Sequence, residues 1–163
     1  VTNTGDAPLP YACGLHPGFR WPFAGSTEPH AIRFEKAERP AVPVIAPGGL
    51  FSETERPVPL KDGVLALEPA LFANDALCFL NIESKHLDFD NGAGARLHVA
   101  LDDFPHVGFW TRPPAPYLCI EPWTGHGDPV DFTGDLFEKP SMRRLAPGAV
   151  ARHAATFSLE GEV

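Results

Sequence analysis

The chain has 163 residues, 44% of them apolar, enough for one domain with a substantial hydrophobic core. Its formal net charge of −8 argues against nucleic acid and against an anionic membrane surface, since both reward a basic face. No apolar run in these residues is long enough for a transmembrane helix, and the opening residues do not read as a basic, hydrophobic leader.

The chain opens Val1-Thr2-Asn3-Thr4-Gly5-Asp6, which reads as the end of a strand entering a turn. With no initiator Met, we expect one piece of a longer protein. Next comes Gly14-Leu15-His16-Pro17-Gly18-Phe19. A residue before proline is pushed into extended backbone by the ring, so His16 is stiffly held. The flanking glycines let a ligand approach the backbone, and Phe19 and Trp21 offer aromatic faces that suit the C–H face of a sugar ring. Taken alone, His16 has a plainer reading as a loop histidine. An unperturbed imidazole titrates at about 6.5, so it can also serve as a proton donor.

From His30 to Glu35, Ile32 and Phe34 share one face and Arg33 and Glu35 the other, the pattern of a half-buried strand. The proline-rich stretch from Arg39 to Pro59 predicts a long irregular connection. Residues 70–76 predict at most one short helical turn. Leu87 and Phe89 alternate with Asp88 and Asp90, Asn91-Gly92 is a turn signal, and Leu97, Val99 and Leu101 follow on one face. That is a hairpin with a glycine-containing loop.

Val107 to Thr111, Tyr117 to Glu121 and Thr156 to Leu159 also read as strands. On the second of these, Tyr117, Cys119 and Glu121 fall on one face, and Pro122 is expected to end the ladder. Glu121, like His16, precedes a proline. Its plainer reading is a solvated carboxylate at a strand end. Trp110 and Trp123 are candidates for the wall of a carbohydrate site, although core packing is the usual fate of tryptophan.

The segment from Trp123 to Asp128, with Asp131 and Asp135, fits no standard calcium loop, and the histidines show no zinc spacing. No metal is expected, and these carboxylates read as turn caps. A phosphate loop and a nucleophile elbow are both absent. The one helical candidate, Leu136 to Leu145, is broken by Pro140. Cys13, Cys78 and Cys119 are odd in number and far apart, which makes them reduced thiols of a cytoplasmic protein rather than a disulfide framework. Cys119 reads as a buried, inert thiol that is also placed to line a site. With 19 Pro and 15 Gly scattered at strand ends, the chain reads as all-β, an antiparallel β-sandwich or part of a larger one.

The ordered set of motifs then resembles a known family. Val1-Thr2-Asn3-Thr4-Gly5, Leu9-Pro10, Gly14 to Phe19 and Leu71 to Leu77 come first. Phe109 to Pro113, Ala115 to Trp123 and Leu145-Ala146-Pro147-Gly148 complete it. In this order they resemble the C-terminal portion of the aldose 1-epimerase (galactose mutarotase-like) family, in its LacX-like branch. The resemblance implies the antiparallel supersandwich of that family, with residues 1–163 as the C-terminal part of a single domain and the N-terminal part absent. Family members draw further active-site residues, an arginine and a histidine, from that N-terminal half.

By motif, the resemblance makes His16 the general acid and Glu121 the general base of a mutarotase acting on a monosaccharide. More loosely, it makes Asp75 a sugar-binding aspartate. Trp123 stands where the better-known galactose mutarotases have Gln, which leaves the preferred sugar open. Phe19, Trp110 and Trp123 complete the expected substrate-binding set. No cofactor is implied, because only protons move. The alternatives are a non-catalytic carbohydrate-binding protein of the same fold and a sugar-phosphate mutarotase. The expected partners, besides the sugar, are the missing N-terminal half or a self-associated copy.

Overall fold

The structure is a computed structural model and describes residues 1–161. In chain order the strands begin with β1 (Leu9–Tyr11), β2 (Gly18–Arg20), β3 (Ala31–Phe34), β4 (Ala41–Ala46) and β5 (Leu50–Pro57). They continue with β6 (Leu60–Lys61), β7 (Val64–Ala66), β8 (Leu77–Phe79), β9 (His86–Asp90) and β10 (Arg96–Asp102). The last are β11 (His106–Trp110), β12 (Tyr117–Trp123), β13 (Arg143–Leu145) and β14 (Ala154–Glu160). Helical structure is confined to 3₁₀ turns at Phe23–Gly25 and Pro69–Phe72 among the described residues. No helix among them is long and apolar enough to cross a membrane.

Two sheets carry the fold: a six-stranded sheet ordered β14-β10-β9-β3-β7-β6 and a four-stranded sheet ordered β2-β12-β11-β8. Their strand pairs are antiparallel. The alternation in the sequence is what closes them into a sandwich. In β10, Leu97, Val99 and Leu101 are buried while Arg96, Ala100 and Asp102 face solvent. The inward residues of the larger sheet meet Leu77, Phe79, Val107, Phe109, Leu118 and Ile120 of the smaller one. Phe34 spans the gap, its ring centroid 5.0 Å from that of Phe79 and 6.0 Å from that of Phe109. These tilted and edge-to-face contacts add to simple area burial. The β9–β10 hairpin turns as the Asn91-Gly92 signal predicts. The Asn91 side chain accepts from the N–H groups of Ala93 and Ala95, and Gly92 takes φ +69.

Two expectations are corrected. The stretch from Arg39 to Pro59 is not irregular: β4 and β5 form an antiparallel hairpin with Gly48 and Gly49, both at positive φ, at its tip. A register shift lies between Pro43 and Ile45, so Pro43 sits at an irregularity of a two-stranded ladder, where its missing N–H is tolerated. Pro122 does not end β12 either, since Val107 pairs with Pro122 and His106 with Trp123. Proline lacks only the donor, and the Pro122 carbonyl accepts from the Leu15 N–H at 3.0 Å. From Leu136 to Leu145 the chain runs through turns into β13 and forms no helix. The N-terminal segment is tied down by buried Asn3, whose side-chain amide donates to the carbonyls of Ala7 and Leu145.

Candidate active site

β12 runs through the interior of the four-stranded sheet, between β2 and β11. Leu118 and Ile120 point into the core, so the period of two sends Tyr117, Cys119, Glu121 and Trp123 to the opposite face. On one side of Glu121 the paired residue is Gly108 of β11. On the other side runs the segment from Cys13 to Pro17. Thr124 N–H donates to the Cys13 carbonyl at 2.8 Å, Leu15 N–H to Pro122 at 3.0 Å, and Ile120 N–H to Pro17 at 3.1 Å. These bonds bracket His16 directly opposite Glu121. Lateral neighbours on adjacent strands bring their side chains together, and His16 Nε2 lies 3.3 Å from Glu121 Oε1. The His16 side chain is 62% exposed and that of Glu121 only 6%, so the imidazole is at the mouth and the carboxylate in the floor.

Burial pushes the Glu121 pKa above the ordinary glutamate value; the His16 charge pulls it back, Asp75 raises it further, and a hydrogen bond from Trp123 lowers it. The two thiols beside it respond to the same surroundings. Cys78 is pushed up to about 12 and Cys119 to about 11, first by burial and then by the Glu121 charge. Both are therefore protonated at neutral pH.

Trp123 lies across Gly108 and beneath Gly14. A Cβ on Gly108 would stand 2.7 Å from the indole Cη2, and one on Gly14 would stand 2.5 Å from Cδ1. Trp110 meets the His16 ring edge-on with centroids 6.1 Å apart, and Tyr117 packs on Trp110 at 5.8 Å. Aromatic walls thus flank the pair on both sides. Asp75 is exposed, at φ +76, with its carboxylate accepting from the Ala76 N–H at 2.7 Å. Its charge reaches Glu121, but the carboxylate is not among the hydrogen-bond partners of the pair.

Phe19 is the substrate-binding candidate placed elsewhere. It pairs with Leu118, is packed against the core and lies 5.2 Å from Phe157 of the other sheet, centroid to centroid. β2 starts at Gly18, and that phase turns Phe19 inward. Asp135 caps a turn, accepting from the Phe137 N–H at 2.8 Å.

Sequence reasoning missed Gly108, the small residue that makes room for the Trp123 indole. Its signal was a glycine inside a strand pattern, which often marks a close approach. It also missed Arg56, which donates to the carbonyls of Leu71, Asp75 and Ala76 at 3.2, 3.3 and 3.4 Å and so holds the Asp75 loop.

This sandwich can be set beside known proteins. Two LacX proteins of Lactococcus lactis subsp. lactis, one plasmid-borne and one chromosomal, are each 28% identical over 154 residues, covering 90% of this chain and 52% of LacX. A galactose mutarotase-like protein from Lactobacillus casei superposes with a TM-score of 0.81 at 21% identity, over 98% of this chain and 56% of that one. The chain has the fold of the galactose mutarotase-like proteins. A galactose mutarotase related enzyme from Lactobacillus acidophilus has a TM-score of 0.76 and 26% identity to this chain, covering 97% of it and 54% of the neighbour. No protein-family model matches. The chain spans about half the length of the curated relatives it matches.

Proposed function

We propose that the protein interconverts the α and β anomers of a free aldohexose by acid–base ring opening and closure. The observation that carries this reading is the contact of His16 Nε2 with Glu121 Oε1 at 3.3 Å, at the mouth of a face walled by Trp110 and Trp123. The chemistry asks for such neighbours, because the C1 hydroxyl oxygen and the ring oxygen are bonded to the same carbon. Glu121 as carboxylate takes the proton of the C1 hydroxyl. His16 as imidazolium gives a proton to the ring oxygen as the bond from C1 to that oxygen breaks. The ring oxygen leaves as the C5 hydroxyl and the open-chain aldehyde turns about C1–C2. That hydroxyl then attacks the other face of C1, returning its proton to His16 while the former carbonyl oxygen takes its proton back from Glu121. Glu121 is a stronger base for having a raised pKa, and His16 supplies the opposite charge that keeps it ionised. Backbone bonds on both sides of His16 hold the pair, which lowers the entropy lost in orienting acid and base. The description of one neighbour as a galactose mutarotase related enzyme adds weight to the reading.

The test follows anomer interconversion of glucose and galactose by polarimetry or NMR. We expect acceleration by the protein, and a loss of about 10²–10⁴-fold in each of His16→Asn and Glu121→Gln with the circular dichroism spectrum unchanged. Sugar binding without acceleration, or unaltered rates in both variants, rejects the proposal.

A further inference from the structure

We infer that His16, Cys119 and Glu121 form a site for one thiophilic divalent cation of the zinc class, seated on the acid–base pair itself. The three side chains offer a nitrogen, a sulfur and an oxygen, all within 4.8 Å of one another. The 3.3 Å between His16 Nε2 and Glu121 Oε1 matches the edge of a tetrahedron with metal–ligand bonds of about 2.0 Å. Cys119 and Glu121 are alternate residues of one strand, so their ligand atoms are preset on one face by β12. The thiol faces Gly18, where even an added Cβ would be 3.7 Å from Sγ, so no side chain of β2 covers it. The His16 backbone is held on both sides, but its side chain is exposed, so rotation of the ring about its side-chain bonds closes the remaining distance. Three protein ligands leave a fourth position for water or a sugar hydroxyl.

The donor set selects the ion. Magnesium and calcium favour oxygen ligands and displace no thiol proton, whereas zinc, cobalt and cadmium take imidazole and thiolate together. Binding breaks the Cys119 S–H bond, sends its proton to solvent and forms a metal–sulfur bond, with no change of oxidation state. The cation also replaces the imidazolium as counter-charge to buried Glu121. An occupied site ties up both acid and base, so zinc is expected to inhibit. That consequence rests on the proposed function, whereas the binding does not.

Cobalt(II) is the probe, added to the protein without sugar. We expect one equivalent to give the visible bands of tetrahedral cobalt and a near-ultraviolet thiolate-to-metal charge-transfer band, both removed by zinc and unaffected by magnesium. Cys119→Ser should abolish the charge-transfer band. His16→Asn, a change at an exposed side chain that leaves folding intact, should weaken cobalt binding at least about tenfold. A thiolate band of full strength in Cys119→Ser would assign the sulfur to Cys13 or Cys78 and overturn the site. So would the absence of a thiolate band in the unsubstituted protein, or an affinity unmoved by His16→Asn. A protein that shows the bands but no mutarotation would refute the proposed function and leave the metal site standing.

Discussion

Glu121 is held where its useful form is the less comfortable one. Burial raises its folded-state pKa above the unfolded value. A carboxyl shifted that way stabilises the fold fully below the unfolded pKa, and the contribution is lost as pH rises through the folded pKa. Above that folded pKa the carboxylate works against folding. Replacing it by the neutral isostere should therefore separate function from stability. Glu121→Gln is expected to lose most mutarotation while melting at a higher temperature than the unsubstituted protein at pH 7, with the gap closing as pH falls below about 4.3. Thermal melts at pH 4 and pH 7 check this. A lower melting temperature at pH 7 would mean that the carboxylate is a structural partner instead. In the same way, the acid limb of the rate profile should lie above the ordinary glutamate range of about 4.3.

At the scale of the strand, the site depends on β11 and β12 leaving one position empty. An Ala at Gly108 would press on the Trp123 ring, and the ring has little room to retreat because Gly14 lies close against its Cδ1 edge. Gly108→Ala should cost about 1–3 kcal/mol by denaturant unfolding and lower turnover by displacing the indole from beside Glu121. If the clash is the cause, adding Trp123→Gln should recover most of that stability, since the smaller side chain vacates the space. Additive losses would place the strain elsewhere.

The same two strands show what a sequence reveals and what it hides. Alternation made β3, β9 and β10 legible, because each turns apolar side chains into the core and charged ones away from it. β4 and β5 were hidden because their prolines resemble loop punctuation, and only the pairing itself shows that Pro43 sits at a register shift. His16 and Glu121 were visible as pre-proline residues, but their adjacency is a matter of register, set by backbone bonds from Leu15 and Ile120. Phe19 failed for the same reason: one residue of phase decides which face of a strand a side chain takes.

Across the whole molecule, two histidines set opposite limits on stability. His98 of β10 bridges its neighbours on both sides, with Nδ1 2.6 Å from Asp88 of β9 and Nε2 2.8 Å from Glu160 of β14. The hydrogen bonds to Asp88 and then Glu160 raise its pKa. Its contribution is complete below about 6.5 and is lost as pH rises through the folded value. Being partly exposed, it is worth little per pair. His106, on the site face of β11, is the reverse. It is buried, accepts from the Asn81 N–H through Nδ1, and is lowered to about 4 by burial first and then by His126 and Arg143. Its neutral ring favours the fold above about 6.5, and that contribution is lost as pH falls towards the folded value. Asp90 adds to the acid side. Burial alone would raise its pKa, but hydrogen bonds from Arg33 and the Gly92 N–H leave it lowered, so its support goes only as pH falls through that depressed value. Stability should therefore peak near pH 6.5 and fall more steeply on the acid side. His106 accounts for up to roughly 3 kcal/mol of the acid loss between pH 6.5 and 4. Glu121 acts in the opposite direction over part of that window, so the measurement is the difference between variants. Urea unfolding from pH 4 to pH 9 should show His106→Gln flattening the acid limb and His98→Gln flattening the alkaline one. An acid limb as steep in His106→Gln as in the unsubstituted protein would show that the ring is already protonated within the fold.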